Sequence, residues 1–197
     1  STARLGYGVG WQMNHNLYYE ENVAGDIRIY QDTGGWIDFL RQGGAFVSLG
    51  DETTTLTQLA DGAYVMTTLD GENFYFQNSD HRQITAYNYL DRDALSYVYD
   101  ANGILQSISN DFGGQLNFFY DADGLLNNVV DLESRRQIDL RYDDAGNLVE
   151  LVDVAGGITR FAYDNGLMVS LTNPRGEIAT ITYQDMSCLL YTSPSPR

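Results

Sequence analysis

Residues 141–153 read RYDDAGNLVELVD. A tyrosine and an aspartate precede a short polar stretch, a glycine and an apolar run. Nearly the same phrase stands at 120–131, YDADGLLNNVVD, and at 99–109, YDANGILQSIS. Aligned on tyrosine, the series is Tyr99, Tyr120, Tyr142, Tyr163 and Tyr183, at steps of 21, 22, 21 and 20 residues. Self-similarity at such a period marks a repeat architecture.

The other repeat positions keep step. The first four tyrosines are each followed by an aspartate: Asp100, Asp121, Asp143 and Asp164. A glycine comes soon after each: Gly103, Gly124, Gly146 and Gly166. Two residues past the glycine stand Leu105, Leu126, Leu148 and Met168, and five past it Ile108, Val129, Leu151 and Leu171. Upstream, the pattern alternates. Tyr97, Phe118, Leu140, Phe161 and Ile181 lie two before each tyrosine, with Ser96, Asn117, Asp139, Arg160 and Thr180 just ahead of them. Period 2 is the signature of a strand with one buried face. The tyrosine belongs to that face, its ring packed and its hydroxyl at a polar edge.

The turn residues complete the unit. Asp-Asn-Gly at 164–166 is a tight-turn tripeptide, because Asn and Gly tolerate positive φ. DANG, DADG and DDAG are one residue longer and predict a bulged or three-to-four-residue loop, with the Asp bonding amides of its own turn. Looser links lead onward: FGG at 112–114, SRR at 134–136, AGG at 155–157 and PRG at 174–176. Each unit therefore reads as one β-hairpin of about 20 residues, and the chain as an all-β protein of consecutive antiparallel hairpins. The apolar positions two and five past glycine differ in parity. Either the return strand is bulged or both sheet faces are partly covered.

Composition sets outer bounds. The chain has 197 residues, 43% hydrophobic and 13% aromatic, enough for a packed core. Twenty glycines and fifteen tyrosines favour short strands and tight turns over helices. The net charge is -16 and all eleven basic residues are arginine, so no basic patch exists for nucleic acid. A Lys-free acidic surface suits a salty habitat, where screening tames self-repulsion, or reflects genomic base composition. No apolar run is long enough for a membrane-spanning helix. The chain begins STARLGYG, without Met, so a missing signal peptide is uninformative.

This pattern resembles the YD repeat of the RHS family, whose phrase is YD-x-x-G-(x)-L. The match runs over 66–186, and GVGWQMNHNLYY at 8–19 is similar to the glycine-tryptophan strand that introduces many RHS cores. The stretches IRIYQDTGGWIDFL, GAYVMTTLDGENFYF and YNYLDRDALSYVYD look like the irregular hairpins ahead of the repeats. The resemblance implies a long β-sheet spiralling into a hollow shell. In bacterial polymorphic toxins and toxin complexes such a shell encloses a C-terminal toxin domain; in teneurins it is an adhesion scaffold. It implies a secreted or cell-surface protein. Its partners would be its own C-terminal toxin domain, secretion-system components or cell-surface glycans. The organisation expected is an introductory β region at 1–65 and repeats at 66–186. Residues 188–197, CLLYTSPSPR, resemble one reading frame of a transposase adaptor from shotgun library preparation. Residues 187–197 are therefore set aside, and the native protein is expected to continue past Met186; a natural Ser/Pro-rich tail is the alternative.

Candidate chemistry is sparse, and no catalytic, cofactor or metal residue is expected. Asp121 and Asp123 alternate before Gly124, but an EF-hand needs a third acid before the glycine and a Glu at the twelfth position, where Leu132 stands. His15 and His81 are far apart and lack ligand spacing, and Cys188 is the lone cysteine. Glu20-Glu21, Asp51-Glu52 and Asp143-Asp144 are adjacent, so on a strand their side chains point to opposite faces. A carboxylate pair for glycoside hydrolysis is therefore disfavoured. Trp11 and Trp36 are candidates for stacking on sugars, and core packing is the plainer role for such aromatics.

Overall fold

A computed structural model describes residues 11, 16–50, 52–78, 82–90, 92–184 and 188–194. His15, His81, Asp51 and most of the 8–15 stretch lie outside the described residues. Among those described, all regular structure is β. Strands β1 (Tyr18–Glu21), β2 (Ile27–Tyr30), β3 (Trp36–Gln42) and β4 (Ala45–Leu49) form one antiparallel sheet in chain order. A second sheet of 14 strands also follows chain order. It comprises β5 (Thr55–Gln58), β6 (Tyr64–Thr67), β7 (Glu72–Phe76), β8 (Ile84–Tyr89), β9 (Arg92–Tyr99), β10 (Leu105–Asn110) and β11 (Gln115–Tyr120). It continues with β12 (Leu126–Asp131), β13 (Gln137–Tyr142), β14 (Leu148–Val152), β15 (Ile158–Asp164), β16 (Leu167–Thr172), β17 (Ile178–Gln184) and β18 (Cys188–Pro194). The hairpin series expected from the repeats is thus the architecture. Residues 188–194, set aside on sequence grounds, have their backbone paired antiparallel to β17.

The chain divides into two compact units: residues 12–116, and residues 117–197 together with the stretch ending at Trp11. In the first, the β1–β4 sheet packs against β6–β8. Ile29 and Phe39 from one side and Phe76 and Ile84 from the other are fully buried. Tyr19 fits T-shaped between Tyr64 and Phe76, with ring centroids 5.0 and 6.1 Å away. Each such side chain contributes roughly 1.5–3 kcal/mol by leaving water. An isolated bridge between Tyr18 and Gln83 joins the two sheets within this unit.

In the second unit the strands obey the predicted alternation. Phe118, Leu126, Val129, Leu148 and Phe161 are buried, whereas Ile138, Leu140, Leu151 and Leu171 on the neighbouring strands are half-buried. Among the described residues the strands of this unit form one sheet, and Trp11 packs on its apolar face at Phe161.

The parity question resolves as a bulge. Tyr142 faces Leu148 while Arg141 faces Glu150, so Val149 is an extra residue on the return strand. The same slip leaves Gln106 extra opposite β9 and Val169 extra opposite β15. The extra residue brings Leu148, opposite Tyr142, and Leu151, opposite Leu140, onto one face.

Candidate functional site

In the turn after β13, the Asp143 amide donates to the Asn147 carbonyl and the Gly146 amide to the Asp143 carbonyl. Asp143 Oδ1 accepts from the amides of Ala145 (3.0 Å) and Asn147 (2.9 Å). Gly146 sits at φ 81°, left-handed backbone that suits glycine. Asp100 with Gly103 and Asp121 with Gly124 repeat this arrangement bond for bond. The Asn147 side chain and these amides hold the Asp143 carboxyl below the usual carboxylate range. The aspartates are thereby committed to turn closure, as their spacing predicts.

Asp164 differs. Its turn has only Asn165 (φ 50°) and Gly166 (φ 79°) at the tip, the two positive φ values of a type I′ hairpin. Asp164 Oδ1 accepts from the Asn165 side chain rather than from a turn amide.

The links at the other end of each hairpin are not looser. Asn110, Asp153 and Asn173 each accept two turn amides at 2.8–3.0 Å, with Gly113, Gly156 and Gly176 at positive φ. Their sequences, NDFGG, DVAGG and NPRGE, share Asp or Asn three residues before glycine. That half-period signal stands in the sequence, offset from the tyrosine series. At 131–136 the link is one residue longer, and Arg135 occupies the positive-φ position at 56°.

The tyrosines form a rung system along the half-buried face. Tyr142 Oη donates to the Leu126 carbonyl at 2.8 Å, and Tyr183 Oη to the Met168 carbonyl at 2.9 Å. Each hydroxyl thus reaches the residue two past the glycine of the preceding hairpin. At Tyr163 the hydroxyl accepts the Trp11 indole N–H at 3.0 Å. Tyr99 and Tyr120 are half-buried at the ends of β9 and β11.

The two tryptophans occupy opposite settings. Trp11 packs against Phe161 at 4.9 Å with a 70° interplanar angle. Trp36 opens β3 and is 55% exposed. The Arg28 guanidinium lies 5.0 Å from its ring centre and makes a two-point bond to Asp38 at 2.6 and 3.0 Å. That pairing lowers the Asp38 carboxyl from its ordinary value. Tyr30, the register partner of Trp36, stacks on Tyr18 at 4.6 Å.

No group of three or more His, Cys, Asp or Glu that could hold a metal occurs among the described residues. A shallow recess of about 380 Å³ beside Glu150 and Arg160 offers no free acid or base pair. Glu150 is held by Arg141 (2.9 Å) and Arg160 (3.3 Å). Among the described residues no helix is long and apolar enough to cross a membrane, which says nothing about strands.

The model of the family described as RHS Repeat matches residues 142–178, from the Tyr142 rung through the 173–177 turn. The chain carries an RHS repeat over that segment. This RHS-repeat chain has no match among the curated proteins. Among solved structures it is similar to a chain of TcdB2-TccC3 lacking its hypervariable C-terminal region, with TM-score 0.46 and 14% identity. A chain of the Photorhabdus luminescens Tc holotoxin pore gives the same values. Each similarity covers 90% of the RHS-repeat chain and 11% of the other. A porin-like protein from Bacteroides uniformis follows at TM-score 0.36 and 10% identity, over 90% and 93% of the two chains. The RHS-repeat chain thus spans about a tenth of the length of the toxin-complex chains it matches.

Proposed function

We propose that this chain is a wall segment of a longer RHS protein whose shell encloses and helps deliver a C-terminal toxin domain. No residue here performs catalysis. The observation that carries the reading is the half-covered apolar face of β13–β17, built on turns whose polar groups are satisfied within the turn. Such a strip presents no chemistry, and more sheet is needed to complete its burial. In this reading residues 1–65 introduce the core, 66–186 carry the hairpins, and 187–197 are an adaptor-derived tail. The protein is secreted or surface-bound.

The contiguous gene tests this directly. A variable effector domain downstream, resistant to protease until the shell is cut, is the expected result. A stalk or anchor with no such domain would sink it.

Exposed Trp36, beside Tyr30 and within reach of Arg28 and Asp38, supports a second reading as a glycan-binding surface protein. Trp11, turned toward Phe161 and Tyr163, is less suited to that role. A glycan-array screen of the whole protein decides: binding abolished by Trp36→Ala supports this reading, and no binding ends it.

A further inference from the structure

Trp11 lies 152 residues before the tyrosine it bonds, outside strands β1–β18. Its seat has two parts. Phe161, 8% exposed, supplies an apolar ring at a T-shaped angle, and Tyr163 supplies a hydroxyl oxygen as acceptor. The two residues are two apart on β15, so both present to one face. An indole N–H is a donor only, and when taken from water it needs such an acceptor. The hydroxyls of Tyr142 and Tyr183 are donated to main-chain carbonyls, whereas Tyr163 turns a lone pair to a side chain.

We propose that Phe161 and Tyr163 form an indole-binding seat whose resident ligand is Trp11, so that Trp11 latches onto the repeat face at β15. The ligand class is an aromatic ring bearing an N–H donor. Emptied of Trp11, the seat takes free indole from solution.

The chain holds only two tryptophans, so Trp36→Phe leaves Trp11 as the single fluorescent reporter. In that protein, the latch requires Trp11 to emit at shorter wavelength than free tryptophan amide and to resist acrylamide quenching severalfold better. Adding Tyr163→Phe, which keeps the ring and removes the acceptor, should raise quenching toward the free value. Equal quenching with and without the Tyr163 hydroxyl would overturn the hydrogen-bonded seat. In Trp11→Ala, free indole should raise the thermal midpoint, with no rise in the parent protein. An equal effect of indole on both, or on neither, overturns the exchangeable site. Should Trp11→Ala not fold, Trp11→Phe serves. It retains ring packing without the donor, and should show intermediate hydrogen-exchange protection at β15, unchanged protection being a refutation.

Discussion

The turns at Asn22, Gln31, Leu59 and Thr68, within β1–β3 and β5–β7, close with the same backbone bonds as the turn at Asp143, yet the two regions bury their apolar residues differently. In the first region two sheets face each other, and Ile29, Phe39, Phe76 and Ile84 reach 0% exposure. In the second, the described strands form one sheet, and Leu140, Leu151 and Leu171 stay half-buried although they occupy the right pleat. Alternation therefore sets which face is apolar, and a second layer sets how dry that face becomes. The repeats depend correspondingly more on their turns, rungs and backbone ladder.

The sharpest test of that difference is truncation of one large side chain in each region. Phe39→Ala should cost about 3–5 kcal/mol, and Leu140→Ala less than about 2 kcal/mol, because less area leaves water in the wild type. Chemical denaturation of both variants measures this, and equal losses would erase the distinction.

The turns should rank next. Gly146→Ala forces a Cβ into left-handed backbone at a cost of roughly 1–2 kcal/mol. Arg135→Gly, at the equivalent left-handed position of the longer link, should be neutral or stabilising. A destabilising Arg135→Gly would show that the arginine side chain holds that turn.

Tyr142→Phe deletes the bond to the Leu126 carbonyl and should cost about 1 kcal/mol, with β12 and β13 exchanging amide hydrogens faster. The pH dependence is smaller and has a definite sign. The folded-state carboxyls of Asp143 and Asp131 are depressed below their ordinary values, Asp143 chiefly by the Asn147 side chain and Asp131 chiefly by the Ser134 hydroxyl. Their contribution is therefore complete above the unfolded carboxylate range and is lost as pH falls through and below it. A thermal-midpoint series from neutral to acid should show this loss, and Asp143→Asn should flatten part of it. The smallest effect belongs to Arg141→Gln, at most about 0.5 kcal/mol, since the pair with Glu150 is exposed and Arg160 still holds the carboxylate.

Much of this molecule is legible locally. Tyr142, Asp143 and Gly146 declare strand end, turn acceptor and left-handed residue within a few positions, and the hairpin follows from them. The bulge was ambiguous because a three-residue apolar spacing fits two geometries, and only cross-strand pairing of Tyr142 with Leu148 chooses between them. The second turn row was hidden by variety: Asn110, Asp153 and Asn173 sit among unlike neighbours, though all retain the acceptor and the glycine. The Trp11–Tyr163 bond was out of reach, because no local rule relates residues 152 positions apart.

The turns at Asp143 and Asp153 close on themselves, and that bears on how such a gene changes length. A joint satisfied by its own aspartate or asparagine asks little of the hairpin beside it. Copying one hairpin by unequal crossing-over inserts a piece whose two seams already match and whose bulge restores the apolar face. The array can lengthen or shorten by whole hairpins without a compensating substitution elsewhere.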